Sequence, residues 1–109
     1  MTVDSLARLI GCETLCMPHP EREIDGVYIG DLLSWVMGRA EQGNVWITIM
    51  SNINTVAVAT LTDASCILLA EGVQPDENAL NAAIQKGVNI LSTKMTAFEA
   101  AIRIKETIS

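Results

Sequence analysis

The residues able to do the most reactive chemistry crowd near the start of the chain. Cys12, Cys16 and His19 follow the spacing C-x3-C-x2-H, and these are zinc-ligand types. The spacing argues against a metal. Read as a strand, the segment places the two thiols about 13 Å apart at roughly 3.3 Å per residue, too far for one ion with Zn–S bonds near 2.3 Å. Cys12 and Cys16 are therefore read as small hydrophobes, and Cys66 as the opening residue of an apolar core strand. His19, the single histidine, lies between Pro18 and Pro20 and is expected on an exposed loop. Three cysteines are an odd number, which argues against a disulfide framework.

Other reactive patterns are missing. The phosphate cradle G-x-x-x-x-G-K-[S/T] does not occur, nor does G-x-G-x-x-G after a strand, nor the nucleophile elbow G-x-S-x-G. No catalytic residue, metal ligand or cofactor is expected. Binding chemistry is easier to place. Polar residues gather where strands pass into helices: Gly30 and Asp31, then Ser51, Asn52 and Asn54, then Thr93 and Lys94. Ligands of open parallel sheets sit beyond the strands' carboxyl ends, where helix N-termini offer free N–H groups to an anion such as a nucleotide phosphate. The competing reading is that these residues only cap helices, which is what Ser, Thr, Asn and Asp do at any such junction. On that reading Gly30 lets the chain turn and Asp31 satisfies the first donors of the helix that starts at Leu32.

Composition narrows the partners. The chain has 109 residues, half of them hydrophobic and 18% charged, with a formal net charge of −6. This size and balance suit one packed domain over residues 1–109. No cluster of Lys and Arg is interleaved with aromatics, so neither nucleic acid nor an anionic membrane surface is expected as a partner. No apolar run approaches the roughly 20 residues of a membrane span. The opening MTVDSLARLIG has no basic region ahead of its apolar face, so a cytoplasmic protein is expected. Trp35, Val36 and Met37 are consecutive and cannot all face one core. An exposed remainder would make Trp35 and Met37 interface candidates of a homodimer; the alternative is a helix sandwiched between the sheet and the N-terminal segment.

The elements that must hold these residues follow from periodicity. SLARLI reads as a short helix stopped by Gly11, with Leu6, Leu9 and Ile10 inward, and ETLCM as a brief strand. IDGVYI is a strand, followed by a helix over DLLSWVMGRA with Leu32, Leu33, Val36 and Met37 on its buried face. VWITIM, CILLA and VNIL are apolar strands alternating with helices over TVAVATLTDA, ENALNAAIQK and AFEAAIRIKETI. Asp76 is the expected cap of the second of these, with Leu80, Ala83 and Ile84 inward. Thr96 and Glu99 have capping-box spacing before the third, with Phe98, Ala101 and Ile102 inward. Strand–helix alternation with short connections implies right-handed crossovers. The expected fold is a single α/β domain in three layers, with a mostly parallel central sheet of about four strands flanked by helices.

The run Gly26-Val27-Tyr28-Ile29-Gly30-Asp31-Leu32-Leu33, the Trp46-Ile47-Thr48 strand and the helix starts at Pro75-Asp76-Glu77 and Ala97-Phe98-Glu99 resemble the DRTGG domain family over about residues 3–104. The name motif is partly kept: Arg22-Glu23-Ile24-Asp25-Gly26 has one glycine where the family often has two. The resemblance implies a small α/β domain similar to the N-terminal domain of HPr kinase/phosphorylase. Such domains are found fused to long phosphotransacetylases and between CBS domains of regulated pyrophosphatases. There they act as regulatory or dimer-forming modules, and Gly26 joins the ligand-contact candidates. Free-standing members resemble small proteins associated with iron-only hydrogenase systems, which implies a partner in a redox enzyme system.

Overall fold

The structure is a computed structural model that describes residues 1–108. Its elements are α1 (Val3–Leu9), β1 (Glu13–Cys16), β2 (Gly26–Ile29), α2 (Leu33–Arg39), β3 (Asn44–Thr48), α3 (Ile53–Thr62), β4 (Cys66–Leu69), α4 (Glu77–Lys86), β5 (Ile90–Ser92) and α5 (Ala97–Ile108). The five strands form one sheet in the order β1-β5-β4-β3-β2. Strands β2 to β5 run parallel, and β1 pairs antiparallel with β5. The sheet is thus one strand wider than the four expected, because the short ETLC segment docks on its edge.

Alternate residues of the central strands feed two cores. Trp46, Ile67, Leu69 and Ile90 pack with Val36, Val56, Ala59, Ala79 and Ala83 of α2, α3 and α4. Val45, Ile47, Cys66, Leu68 and Leu91 pack with Val3, Leu6, Ala100 and Ile104 of α1 and α5. Helices on both faces explain why β3 and β4 are buried at every position rather than alternating.

The caps of α4 and α5 are where the sequence places them. The Asp76 carboxylate accepts from Ala79 N–H at 2.7 Å. Thr96 and Glu99 form the reciprocal box, Thr96 N–H to Glu99 Oε1 at 3.0 Å and Glu99 N–H to Thr96 Oγ1 at 3.2 Å. The first helix starts earlier than its apolar pattern, since Thr2 Oγ1 already accepts from Ser5 N–H.

Three helices are rolled relative to expectation. In α4 the buried residues are Ala79, Ala82 and Ala83, while Ile84 is 61% exposed. In α5 they are Ala100 and Ile104, and Phe98 is 73% exposed. In α2 only Val36 is buried, while Leu32 and Met37 stand out in solvent. In α4 the face turned to the sheet is the one with the smallest side chains, which allows close approach and dense packing on both sides. Large apolar residues flanking an alanine face are displaced outward.

Candidate functional site

The polar junctions expected to bind a ligand do assemble beyond the carboxyl ends of the parallel strands, with one exception. Gly26 opens β2 and pairs with Asn44, so it lies at the opposite end of the sheet. A side chain there would crowd the Asn44 amide, with a Cβ 3.1 Å from Nδ2.

The β2 and β3 junctions are stitched to each other. The Asp31 carboxylate accepts from Thr48 Oγ1 at 2.8 Å and from Ile49 N–H at 3.0 Å. Thr48 Oγ1 in turn accepts from Met50 N–H at 3.1 Å. The Trp46 indole donates to the Gly30 carbonyl at 2.8 Å, and Gly30 N–H reaches the Ile47 carbonyl. Asp31 therefore does not cap α2. The cap position belongs to Leu32, which has no side-chain hydrogen bond to the helix, and Asp31 sits one residue too early and turns toward β3. Gly30 is not there for a left-handed turn either, since its φ is not positive. A Cβ would stand 2.9 Å from the Tyr28 ring, so the ring lies where a side chain would be.

At the β3–α3 junction, Asn52 Oδ1 accepts from Asn54 N–H at 2.9 Å and from Thr55 N–H at 3.3 Å. That carboxamide is committed to capping. Ser51, Asn52 and Thr55 line a cavity of about 10 Å³, room for one water molecule. The buried Thr55 hydroxyl has no partner among the described residues.

The β5 junction is different. Thr93 is buried, and its Oγ1 accepts from Met95 N–H at 3.2 Å. Lys94 is exposed and borders an open cleft of about 450 Å³. Glu13 and Gln74 line the same cleft, and sequence reasoning passed over both. No local pattern marks them, because β1 and the β4–α4 loop meet only through the antiparallel β1–β5 pairing. Three strand spacings separate β5 from β2, about 14 Å at roughly 4.8 Å each. Thr93 and Lys94 thus form a site separate from Gly30 and Asp31.

The thiols do not form a site. Cys16 packs in the α2–α4 core and Cys12 against the α1–α5 core, on opposite sides of the sheet. Among the described residues no three His, Cys, Asp or Glu side chains gather to hold a metal. Burial pushes the Cys66 thiol well above its usual range, and burial also raises Cys12 and Cys16. Each is held as the unreactive thiol. His19 is more than half exposed, as a loop residue should be, with its ring 3.7 Å from the Glu21 carboxylate.

Apolar surface gathers around the β2 end of the sheet. Ile29, Leu32, Trp35, Ile49 and Ile53 are each about half exposed. The Arg39 guanidinium lies over the Trp35 ring, 3.9 Å from its centroid. Met37 is also exposed but sits about 160° from Trp35 around the helix at 3.6 residues per turn, so one flat partner cannot cover both. No helix among the described residues is long and apolar enough to cross a membrane.

Fold and sequence together define the class. The DRTGG domain family model matches residues 5–107, and the chain belongs to that family. The structure is similar to the CBS and DRTGG domains of the regulatory region of Clostridium perfringens pyrophosphatase, a structure complexed with the activator diadenosine tetraphosphate. The match has a TM-score of 0.76 at 14% identity, covering 94% of this chain and 45% of that one. The chain thus spans less than half the length of that relative, and at this identity the likeness is one of fold. No curated protein matches by sequence.

Proposed function

We propose that residues 1–109 act as a single DRTGG-like domain, a non-catalytic regulatory module that works by association. It forms a homodimer in the cytoplasm and serves a metabolic or iron-only hydrogenase redox system. The observation that carries this reading is the open edge of the sheet at β2. This strand, Gly-Val-Tyr-Ile, is uncharged and pairs in unbroken register with β3 on one side only. In a parallel ladder alternate residues direct both backbone groups to the same neighbour. Gly30 N–H goes to β3, so Val27 and Ile29 turn theirs outward. Antiparallel pairing of two such edges is self-complementary about a two-fold axis. The half-exposed Ile29, Leu32 and Trp35 beside it add apolar area. Light scattering on the eluting protein should give twice the chain mass, and Ile29→Lys should return it to one; a monomer at micromolar concentration removes the reading. The redox partner is motivated by the resemblance of free-standing family members, and titration against purified hydrogenase subunits tests it.

A second reading is a sensor of an adenine nucleotide at the strand ends. It is supported by the diadenosine tetraphosphate bound in the pyrophosphatase relative and by the open β5 junction. Calorimetry with AMP, ATP and diadenosine tetraphosphate tests it, and absence of heat with all three removes it.

A further inference from the structure

We infer that the cleft beyond β5 binds a small zwitterion, a free α-amino acid with an apolar side chain. The inference takes the same cleft that the sensor reading uses and assigns it a different ligand class.

The cleft is built and braced. Its walls come from the end of α1, the start of β1, the β4–α4 loop and the β5–α5 loop. Gln74 Nε2 donates to Glu13 Oε1 at 3.0 Å and to Ser92 Oγ at 3.4 Å, and Ser92 Oγ donates to the Val73 carbonyl at 2.8 Å. Glu71 N–H reaches the Met95 carbonyl at 2.9 Å and Gly72 N–H the Thr93 carbonyl at 2.8 Å. These last two bonds hold consecutive left-handed residues, Glu71 at φ 58° and Gly72 at φ 75°. Left-handed backbone is unfavourable for a glutamate, and it persists because the surrounding contacts over-determine it. A cleft braced on all sides loses little entropy when a ligand enters.

Its chemistry is bipolar. Lys94 supplies an ammonium that forms no ion pair or hydrogen bond among the described residues. Glu13 supplies a carboxylate with Oε1 on Gln74 and its second oxygen without a hydrogen-bond partner among them. Met95, half-buried, provides apolar surface, with the edge of the buried Ile10 behind it. A ligand carboxylate pairs with Lys94, its ammonium with Glu13, and its side chain lies on Ile10 and Met95. A phosphate dianion suits the cleft less well, since its one ammonium shares the lining with a carboxylate in a chain of net charge −6. Gly11 lies on the same wall with φ +59°, and nothing stands within 4 Å of where its Cβ would be. Asparagine tolerates that backbone, so Gly11→Asn adds a side chain at the cleft wall without refolding the turn.

Calorimetry of the full chain with L-leucine, L-methionine and L-phenylalanine tests the inference. Binding in the millimolar range or tighter is expected. Lys94→Gln and Glu13→Gln should each weaken it about tenfold, as should isopentylamine or 4-methylpentanoate in place of leucine. Gly11→Asn should weaken binding while the melting curve stays in place. No heat with any amino acid, or binding indifferent to Lys94→Gln and Gly11→Asn, overturns the inference. Heat with AMP but none with amino acids keeps the nucleotide reading and rejects this one.

Discussion

The two edges of the sheet are finished in opposite ways. At one edge, β1 carries Glu13 and slips register between Thr14 and Cys16. Two prolines follow it, Pro18 and Pro20. A charge, an irregular ladder and prolines are the devices by which proteins keep an edge from recruiting another strand. At the other edge, β2 has none of them. Its four residues keep regular register with β3, and a groove runs beside it along Ala101 and Lys105 of α5. The blunted edge instead shapes a cleft, because an antiparallel strand brings its first residue, Glu13, to the carboxyl end of its neighbour. One edge is arranged to hold something small, the other to meet another strand.

The largest test of this contrast removes the anchor of the open edge. Trp46 is fully buried and its indole donates to the Gly30 carbonyl at the end of β2. Trp46→Ala should lower stability by about 3–5 kcal/mol in urea unfolding, from lost packing and an emptied cavity. A loss below about 1 kcal/mol would mean that β2 is held by its ladder alone.

Asp31 comes next. Asp31→Ala leaves the Thr48 hydroxyl and Ile49 N–H without their acceptor and should cost about 1–3 kcal/mol. In a Thr48→Val background the cost should shrink, since one of the two donors is gone. Equal cost in both backgrounds would return Asp31 to a role confined to its own helix.

The edges themselves are compared by paired lysines. Ile29→Lys should weaken self-association at least about tenfold with little change in melting temperature, because Ile29 is already half exposed. Glu13→Lys on β1 should leave the assembly mass unchanged. If the β1 variant dissociates the dimer and the β2 variant does not, the assignment of edges is reversed.

The smallest effect lies away from both edges and calibrates the rest. The Thr96 backbone N–H and hydroxyl donate to Glu99 and hold its carboxyl below the usual carboxylate range. A lowered folded-state pKa stabilises above the ordinary value of 4.5, and that contribution is lost as pH falls through the folded value. Glu99→Gln should flatten that part of the acid-unfolding curve and leave stability above it nearly independent of pH.

Much of the architecture can be read from the chain. VWITIM, CILLA and VNIL are continuous apolar runs separated by helix-length segments, which leaves little choice but parallel strands covered on both faces. Asp76 and the Thr96–Glu99 pair cap their helices because capping is a contact between near neighbours in sequence. The roll of α2, α4 and α5 was not legible. Ala82 and Ile84 are both apolar letters, and only the distance between helix and sheet decides which one faces in. The role of Asp31 was hidden for a related reason: its partners lie 17 and 18 residues away on another strand.

The sequence by itself determined the layer order, the direction of the central strands and most helix ends, since each depends on local periodicity or on bonds spanning three or four residues. Only the tertiary structure decided that Cys12 and Cys16 face opposite cores and that Glu13, Gln74 and Lys94 border one cleft. Those facts depend on which strands become neighbours. That choice follows from burying both faces of the sheet at once, and no short stretch of residues encodes it.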